Sequence, residues 1–192
     1  MLLASAWDAR SPLVDPLCGS GTIAIEAALL ARRMAPGRQR QFRFMCWPSF
    51  DAPAWNDVLE QALSRELPSS PAPIYASDRN GWAVRAARQN SARACVAGDV
   101  AVARLDVADL VSPHERGWLV TNPPYGARLA AGDREALREL LRVVLSRFPG
   151  WRLAVLAPEA LSHMLTGRWL RPVLRASNGG IAVRLYTGQV PG

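Results

Sequence analysis

The chain has 192 residues, of which 49% are hydrophobic and 20% charged, a composition typical of globular proteins and unlike that of disordered ones. The length favours one domain with a sizeable core over two full domains. The net charge is +7, and all 23 basic residues are arginine, which suits a nucleic-acid partner because guanidinium groups bind phosphate well. A GC-rich genome would also favour arginine over lysine, and the composition leaves both explanations open.

The sequence predicts neither a membrane anchor nor a metal centre. The longest apolar stretch, Ile23–Ala31, is interrupted by a glutamate and is too short to span a bilayer. Met1–Trp7 lacks the basic region of a signal peptide. The cysteines Cys18, Cys46 and Cys95 are odd in number and form no CxxC pair, which disfavours a disulfide framework and a structural zinc site. We therefore expect a cytoplasmic protein without a bound metal.

The first strand and helix flank a glycine-containing turn. Met1–Trp7 has the pattern of a helix end, and residues 13–14 predict a short strand that ends at Asp15. The turn at residues 17–22 leads into a helix predicted over Ile23–Met34. A strand, a glycine turn and a helix in this order direct backbone N–H groups and a helix N-terminus at a ligand.

Residues 35–73 interrupt the alternation of strands and helices. Six prolines punctuate this stretch, and one helix is predicted over Ala54–Glu66. Five arginines between Arg32 and Arg43 are interleaved with aromatic residues. The pattern is compatible with an RNA-facing insertion and equally with a solvated connection.

The rest of the chain alternates strands and helices again. Strands are predicted over Ile74–Ser77, Val100–Leu105, Gly117–Thr121 and Trp151–Ala157, helices over Gly81–Cys95 and Asp133–Phe148, and a closing hairpin over Arg168–Leu174 and Gly180–Tyr186 with its connection at Ala176–Gly179. Such alternation predicts an α/β fold, with a mostly parallel sheet and helices on both faces.

Polar residues follow four of the predicted strands: Asp15, Asp78, Asp106 and Asn122. Ligands of parallel sheets bind at the carboxyl ends of the strands, so we expect these four side chains to share one edge. The glycine turn fits the G-x-G-x-x-A pattern over Gly19–Ala24, which alone is a weak signal for a dinucleotide and lacks the lysine of a phosphate-binding loop. Together these features predict a site for a nucleoside cofactor.

The acid that precedes the glycine turn separates the candidate cofactors. A nicotinamide dinucleotide favours a strand-end acid about 20 residues after the glycines, and the sequence has none there. Asp15 suits the sulfonium and ammonium groups of S-adenosylmethionine, and Asp78 and Asp106-Val107 would then bind its ribose and adenine. A strand-end cap for Asp15, a helix N-cap for Asp78 and a neighbouring acid in place of Asp106 stay open.

The segment Val120–Gly126 ends the fourth predicted strand with Asn-Pro-Pro-Tyr-Gly, a stiff corner because proline cannot continue a central strand. The side-chain oxygen of Asn122 and the carbonyl of Pro123 can accept the two N–H groups of an exocyclic amine, which directs its lone pair toward a methyl group. Tyr125 can stack on a base taken out of its helix, and Gly126 allows close approach of the backbone. The corner predicts methylation of an amine.

Three motifs together resemble the class I methyltransferase domain of THUMP-containing RNA methyltransferases: Val14–Thr22 with Ile25–Ala28, Ala76–Asp78, and Thr121–Gly126. The insertion, with Ala35-Pro36-Gly37, Phe44, Trp47 and Trp55, is most similar to that of the bacterial 23S ribosomal RNA guanine-N2 methyltransferases. These enzymes belong to the UPF0020 group and are often described as N6-adenine-specific DNA methylases.

The resemblance implies a Rossmann-like fold over residues 1–192, with a seven-stranded sheet whose last strand is antiparallel. It implies transfer of a methyl group from S-adenosylmethionine to the N2 amine of a guanine in 23S rRNA, without a metal. Adenine N6 of DNA or RNA, a tRNA guanine and a protein glutamine remain alternatives. The family also carries an RNA-capturing THUMP domain before this one, with a helix that leads into the first strand. We expect only Met1–Trp7 of that helix here, without the THUMP domain.

The expected site has two halves. Asn122, Pro123 and Tyr125 are predicted to be catalytic. The expected cofactor contacts are Asp15, Pro16, Cys18, Gly19, Ser20, Gly21, Thr22, Asp78, Arg79, Asp106, Val107 and Asn122.

Overall fold

The computed structural model describes residues 1–38, 40–125, 131–167 and 169–192. The strands are β1 (Leu13–Asp15), β2 (Ile74–Asp78), β3 (Val100–Arg104), β4 (Trp118–Thr121), β5 (Arg152–Pro158), β6 (Arg171–Asn178) and β7 (Ile181–Gln189). The helices are α1 (Leu2–Ser5), α2 (Thr22–Ala31), α3 (Ala52–Leu63), α4 (Gly81–Arg93), α5 (Ala131–Arg147) and α6 (Ser162–Leu165). Gly126 and the predicted start of the hairpin, Arg168, lie outside the described residues.

The seven strands form one sheet in the order β3-β2-β1-β4-β5-β7-β6. Strands β1 to β5 pair in parallel, whereas β7 pairs antiparallel with β5 and β6 antiparallel with β7. This confirms the predicted α/β fold. The strand order reverses between β1 and β4, which is where open parallel sheets bind their ligands.

Helices cover both faces of the sheet, and each face has its own apolar core. On one face α2 packs through alanines such as Ala24 and Ala28 together with Ala87 of α4. On the other face α5 contributes large residues that include Leu140 and Val144. Small side chains bring α2 close to the strands, while the branched residues of α5 fill the opposite layer. None of the described helices is long and apolar enough to cross a membrane.

The predicted helices differ from the structure at their ends, most of all at α2 and α3. Helix α2 stops at Ala31 rather than Met34, because the backbone turns into the left-handed region at Arg33, with φ of 57°. Helix α3 begins at Ala52 rather than Ala54. There the carboxylate of Asp51 accepts a hydrogen bond from the backbone N–H of Ala54 at 3.0 Å, the arrangement of an N-cap.

The closing hairpin is longer than predicted. We expected its connection at Ala176–Gly179, whereas strand pairing continues as far as Asn178 and Ile181. Gly179 and Gly180 both have positive φ, 56° and 83°, so these two residues reverse the chain in a tight turn. The predicted connection was therefore wrong, and the hairpin tip extends toward the site described below.

The insertion at residues 35–73 holds α3 and an aromatic cluster at the edge of the domain. The rings of Phe44 and Trp55 meet edge to face, with centroids 5.1 Å apart. A salt bridge of 2.6 Å joins Arg38 to Glu66 across the segment. Since α3 has no buried residue, the insertion packs on its own aromatic side chains more than on the sheet.

Candidate functional site

Strands β1 and β4 lie side by side where the strand order reverses, and a buried hydrogen bond joins their ends. The hydroxyl of Thr121 donates to Oδ1 of Asp15 at 2.8 Å, and both side chains are buried. This bond connects the strand before the glycine turn to the strand before the Asn122 corner. Sequence reasoning missed Thr121, whose only signal was its position one residue before Asn122.

Asp15 is 1% exposed, and its Oδ2 has no hydrogen-bond partner among the described residues. Burial raises the pKa of this carboxyl to about 7, although the hydrogen bonds from Thr121 and the backbone of Leu17 act in the opposite direction. The nearby charge of Asp78 raises the pKa further. A buried polar atom without a partner costs free energy unless a ligand satisfies it. Asp15 therefore fits a ligand that brings a cationic donor.

The two glycines of the turn have different surroundings: one borders open space and the other packs against a helix. Gly19 and Gly21 both have positive φ, 52° and 89°. A Cβ added at Gly19 would meet nothing within 4 Å, whereas one at Gly21 would lie 3.0 Å from Cβ of Ala87. Gly19 thus borders open space in front of the turn, and Gly21 lets α2 approach α4.

We expect alanine substitutions at these two positions to separate binding from folding. Gly19→Ala should cost about 1–2 kcal/mol of stability from its left-handed backbone and weaken cofactor binding, because the methyl group enters the open space. Gly21→Ala should cost more stability, since Ala87 must also move. Urea unfolding together with calorimetric titration of S-adenosylmethionine measures both effects. Equal losses of stability in the two variants would contradict this division.

Asp78 ends β2 and closes the glycine turn from the side. Its Oδ2 accepts a hydrogen bond from the backbone N–H of Gly19 at 3.1 Å, and its Oδ1 accepts one from Asn80 at 2.8 Å. The N-cap of α4 is Asn80, whose side chain accepts from the N–H of Trp82 at 3.0 Å. The helix N-cap alternative for Asp78 is therefore wrong, and its carboxylate lies against the turn.

A cavity of about 410 Å³ opens between the strand ends and α5, lined by Leu17, Arg79, Asp106, Val107, Pro124, Glu135, Ala136 and Glu139. Asp106 borders it, whereas the competing acid Asp99 forms a salt bridge of 3.2 Å with Arg32. The sequence did not indicate that α5 contributes to the site. Its glutamates Glu135 and Glu139 form i,i+3 salt bridges with Arg138 and Arg142.

The corner after β4 presents an unpartnered acceptor. Oδ1 of Asn122 is buried and has no hydrogen-bond partner among the described residues. Pro123 is buried beside it, and Tyr125 is half-buried. The hydroxyl of Tyr125 accepts a hydrogen bond of 2.8 Å from the side-chain amide of Asn178 at the hairpin tip. Gly126, the last residue of the predicted motif, lies outside the described residues.

The remaining predicted contacts lie in the turn but differ in exposure. Pro16 and Cys18 are buried, whereas Ser20 and Thr22 are exposed. Burial, with the charges of Asp15 and Asp78, raises the pKa of the Cys18 thiol to about 12, so it stays neutral and is unsuited to act as a thiolate nucleophile. Among the described residues, no group of three His, Cys, Asp or Glu side chains is placed to hold a metal ion.

A buried acid at the end of β1, a glycine turn, an acid at the end of β2 and a diproline corner after β4 are together typical of a Rossmann-like methyltransferase domain. Residues 1–162 match the model of the UPF0020 family, described as the RMKL-like methyltransferase domain. The chain belongs to this family, which confirms the resemblance drawn from its motifs.

Related proteins are similar across most of the chain. The Synechocystis protein slr0064, named as a proposed RNA methyltransferase, is 34% identical over 190 residues, which are 96% of this chain and 49% of that protein. The ribosomal RNA large subunit methyltransferase K/L of Shewanella baltica (strain OS185) is 37% identical over 168 residues, 83% of this chain and 23% of that protein. The chain therefore spans about half, or less, of the length of these relatives.

Solved structures show the same fold. SMU.472, a proposed methyltransferase crystallised with SAH, superposes with a TM-score of 0.88 and 29% identity, over 97% of this chain and 50% of that one. A predicted N6-adenine-specific DNA methylase from Listeria monocytogenes (strain 4b F2365) gives a TM-score of 0.80 and 30% identity, over 96% of this chain and 50% of that one.

Proposed function

We propose that this domain methylates RNA, using S-adenosylmethionine to modify the exocyclic N2 amine of a guanine in 23S rRNA. The observation that carries the proposal is the buried Oδ1 of Asn122, which has no partner among the described residues and lies directly after β4. An amine is the simplest ligand to satisfy an acceptor of this kind. The name of the K/L relatives supports a substrate in the large ribosomal subunit.

The residues around the glycine turn fit S-adenosylmethionine. Oδ2 of Asp15 lacks a donor, and the ammonium and sulfonium groups of this cofactor would supply positive charge to it. Gly19 leaves open space in front of the turn, and the cavity bordered by Asp106 and Val107 offers a carboxylate and an apolar face to an adenine. Crystallisation of SMU.472 with SAH supports the same cofactor. When bound, it supplies an electrophilic methyl group.

The residues of the corner prepare the amine for attack. An exocyclic amine is a poor nucleophile because its lone pair is delocalised into the ring. Oδ1 of Asn122 and the carbonyl of Pro123 accept its two N–H groups, turn the lone pair out of conjugation and stabilise the positive charge that develops on nitrogen. Tyr125 stacks on the base, and the hydrogen bond from Asn178 fixes the orientation of its ring.

A second candidate is methylation of adenine N6 in DNA or RNA. The likeness to the Listeria monocytogenes protein favours it, and an adenine presents the same two N–H groups to Asn122 and Pro123. A tRNA guanine and a protein glutamine present equivalent amines. We prefer guanine N2 because the insertion resembles that of the guanine-N2 methyltransferases, and because the K/L relatives are named as methyltransferases of the large-subunit ribosomal RNA. We also propose that a preceding THUMP domain captures the RNA in the full-length protein.

Two measurements on the purified full-length protein test the proposed function. Calorimetric titration should show binding of S-adenosylmethionine and none of NAD. Incubation of unmodified 23S rRNA with methyl-labelled S-adenosylmethionine, followed by nuclease digestion and mass spectrometry, should give 2-methylguanosine. N6-methyladenosine as the product would establish the second candidate in place of the first, and binding of NAD alone would contradict both.

A further inference from the structure

A second cleft combines three arginines with an exposed tryptophan. It has a volume of about 410 Å³ and is lined by Arg79, Asn80, Gly81, Trp82, Arg85 and Arg104. The cleft lies at the ends of β2 and β3 and adjoins the cofactor cavity, because Arg79 lines both. The side chain of Trp82 is 77% exposed, whereas tryptophan is on average highly buried in folded proteins.

Hydrogen bonds hold the floor of this cleft in place. Nε of Arg104 donates to the carbonyl of Arg79 at 3.1 Å. The Arg104 side chain thereby crosses Gly81, where a Cβ would lie 4.0 Å from its guanidinium group. The side chain of Asn80 accepts from the backbone N–H of Trp82 at 3.0 Å and fixes the first turn of α4. Hydrogen bonds therefore hold both the side chain of Arg104 and the backbone that carries the indole of Trp82.

Among the residues that the structure describes, no acidic side chain lines this cleft. Within the described part of the chain, the salt bridges involve none of Arg79, Arg85 and Arg104. Both oxygens of the adjacent Asp78 accept backbone N–H groups. Guanidinium groups held close together without acids repel one another and attract an anion, and their planar shape suits the oxygens of a phosphate.

We propose that this cleft binds the RNA strand beside the target nucleotide, with phosphates on Arg85 and Arg104 and an unpaired base stacked on Trp82. This inference rests on the proposed RNA methylation, and it adds the position of the RNA strand that flanks the target nucleotide. Arginines combined with an exposed aromatic ring are typical of single-stranded RNA recognition. An acidic protein segment would match the charge but would leave the indole without a base to stack on.

The sheet places this cleft within reach of the same strand as the target base. Strands β2 and β4 are separated by β1 alone, and neighbouring strands are about 4.8 Å apart, so their ends lie roughly 10 Å from each other. A base held at Asn122 and its flanking nucleotides on Trp82 can therefore belong to one short oligonucleotide that crosses the carboxyl edge of the sheet.

Fluorescence anisotropy with a labelled single-stranded RNA tests the proposal across a range of salt concentrations. Trp82→Ala should raise the Kd about tenfold through lost stacking, and Trp82→Phe should recover most of that loss. Arg85→Ala should also raise the Kd. It should reduce the magnitude of the negative slope of log association constant against log salt by about 0.7, the value for one phosphate contact on a single strand. Arg93→Ala, in the last turn of the same helix, is the matched control and should leave the Kd unchanged.

Two further readouts separate this proposal from the proposed function. Calorimetry should give the same affinity for S-adenosylmethionine in the wild type and in the Trp82 and Arg85 variants. Unchanged RNA binding by these variants would overturn the cleft proposal, even if the wild type methylates RNA. RNA binding that depends on Trp82 and Arg85, in a wild-type protein that binds cofactor but methylates no RNA, would support the cleft and contradict the proposed function. Binding of a poly-glutamate peptide as tight as that of RNA would also overturn the cleft proposal.

Discussion

Asn122→Ala should lower kcat for methyl transfer by a factor on the order of 10² to 10³, the usual loss when one preorganised group that stabilises transition-state charge is removed. The buried Oδ1 of Asn122 has no partner among the described residues, so its acceptor capacity is available to the amine. Without it, only the carbonyl of Pro123 remains to orient the amine. The affinity for S-adenosylmethionine should stay within about threefold, because the proposed electrostatic contacts of the cofactor centre on Asp15 and Asp78.

Single-turnover rates and calorimetry on the same preparations separate the two effects. Asn56→Ala, an asparagine exposed on α3, is the matched control and should retain both activity and cofactor affinity. If Asn122→Ala keeps a rate near that of the wild type, the amine-orienting role is wrong. If it loses cofactor binding and rate together, Asn122 belongs to the cofactor half of the site instead.

Asp15→Asn should make the protein more stable above neutral pH while weakening its binding of the cofactor. Burial raises the pKa of Asp15 from 3.8 to about 7, so between these values the folded state holds a proton that the unfolded state has released. The stabilisation that this bound proton gives the folded state is fully present below about pH 4, decreases as the pH rises, and is lost once the pH has passed about 7. At about 1.4 kcal/mol for each pKa unit, this loss is on the order of 4 kcal/mol.

Urea unfolding between pH 4 and 8 measures this contribution. The wild type should lose stability across the range, whereas Asp15→Asn should show a flatter profile because its amide does not ionise and can still accept from Thr121. The variant should bind S-adenosylmethionine more weakly at pH 7.5, since it has no charge to offer. Asp57→Asn, on the exposed face of α3, is the control. Parallel pH profiles for wild type and Asp15→Asn would contradict the role assigned to this carboxyl.

The fold was predictable because its signals are local and repeat along the chain. Short apolar runs end in Asp15, Asp78 and Asn122, and residues that stop a strand follow each of them. This pattern indicated both the strand positions and the edge of the sheet that the three residues share. The hairpin turn was misplaced because β6 is exposed along its whole length. A strand with no buried face has no hydrophobic alternation to mark its end, and its pairing extended to the two glycines.

The position of Asp15, Asp78 and Asn122 at strand ends was predictable, whereas the hydrogen-bond partners of the candidate site residues were not. The hydrogen bond from Thr121 to Asp15 and the one from Asn178 to Tyr125 join residues 106 and 53 positions apart. Only the register of the sheet and the length of the hairpin determine such pairs. Glu135 and Glu139 had the spacing of solvent-exposed ion pairs, and nothing local indicates that their helix borders a cavity. The spacing of Trp82 and its neighbouring arginines likewise gave no sign that they share one cleft.

The central claim is that the site at the Asn122 corner catalyses methylation of a guanine amine in 23S rRNA. Nucleoside mass spectrometry on cellular rRNA tests this claim most directly. Ribosomal RNA from cells that lack the full-length gene should lose one 2-methylguanosine, which the wild-type gene restores and the Asn122→Ala gene does not. An unchanged 2-methylguanosine content in the deletion strain, or full restoration by Asn122→Ala, would contradict the claim.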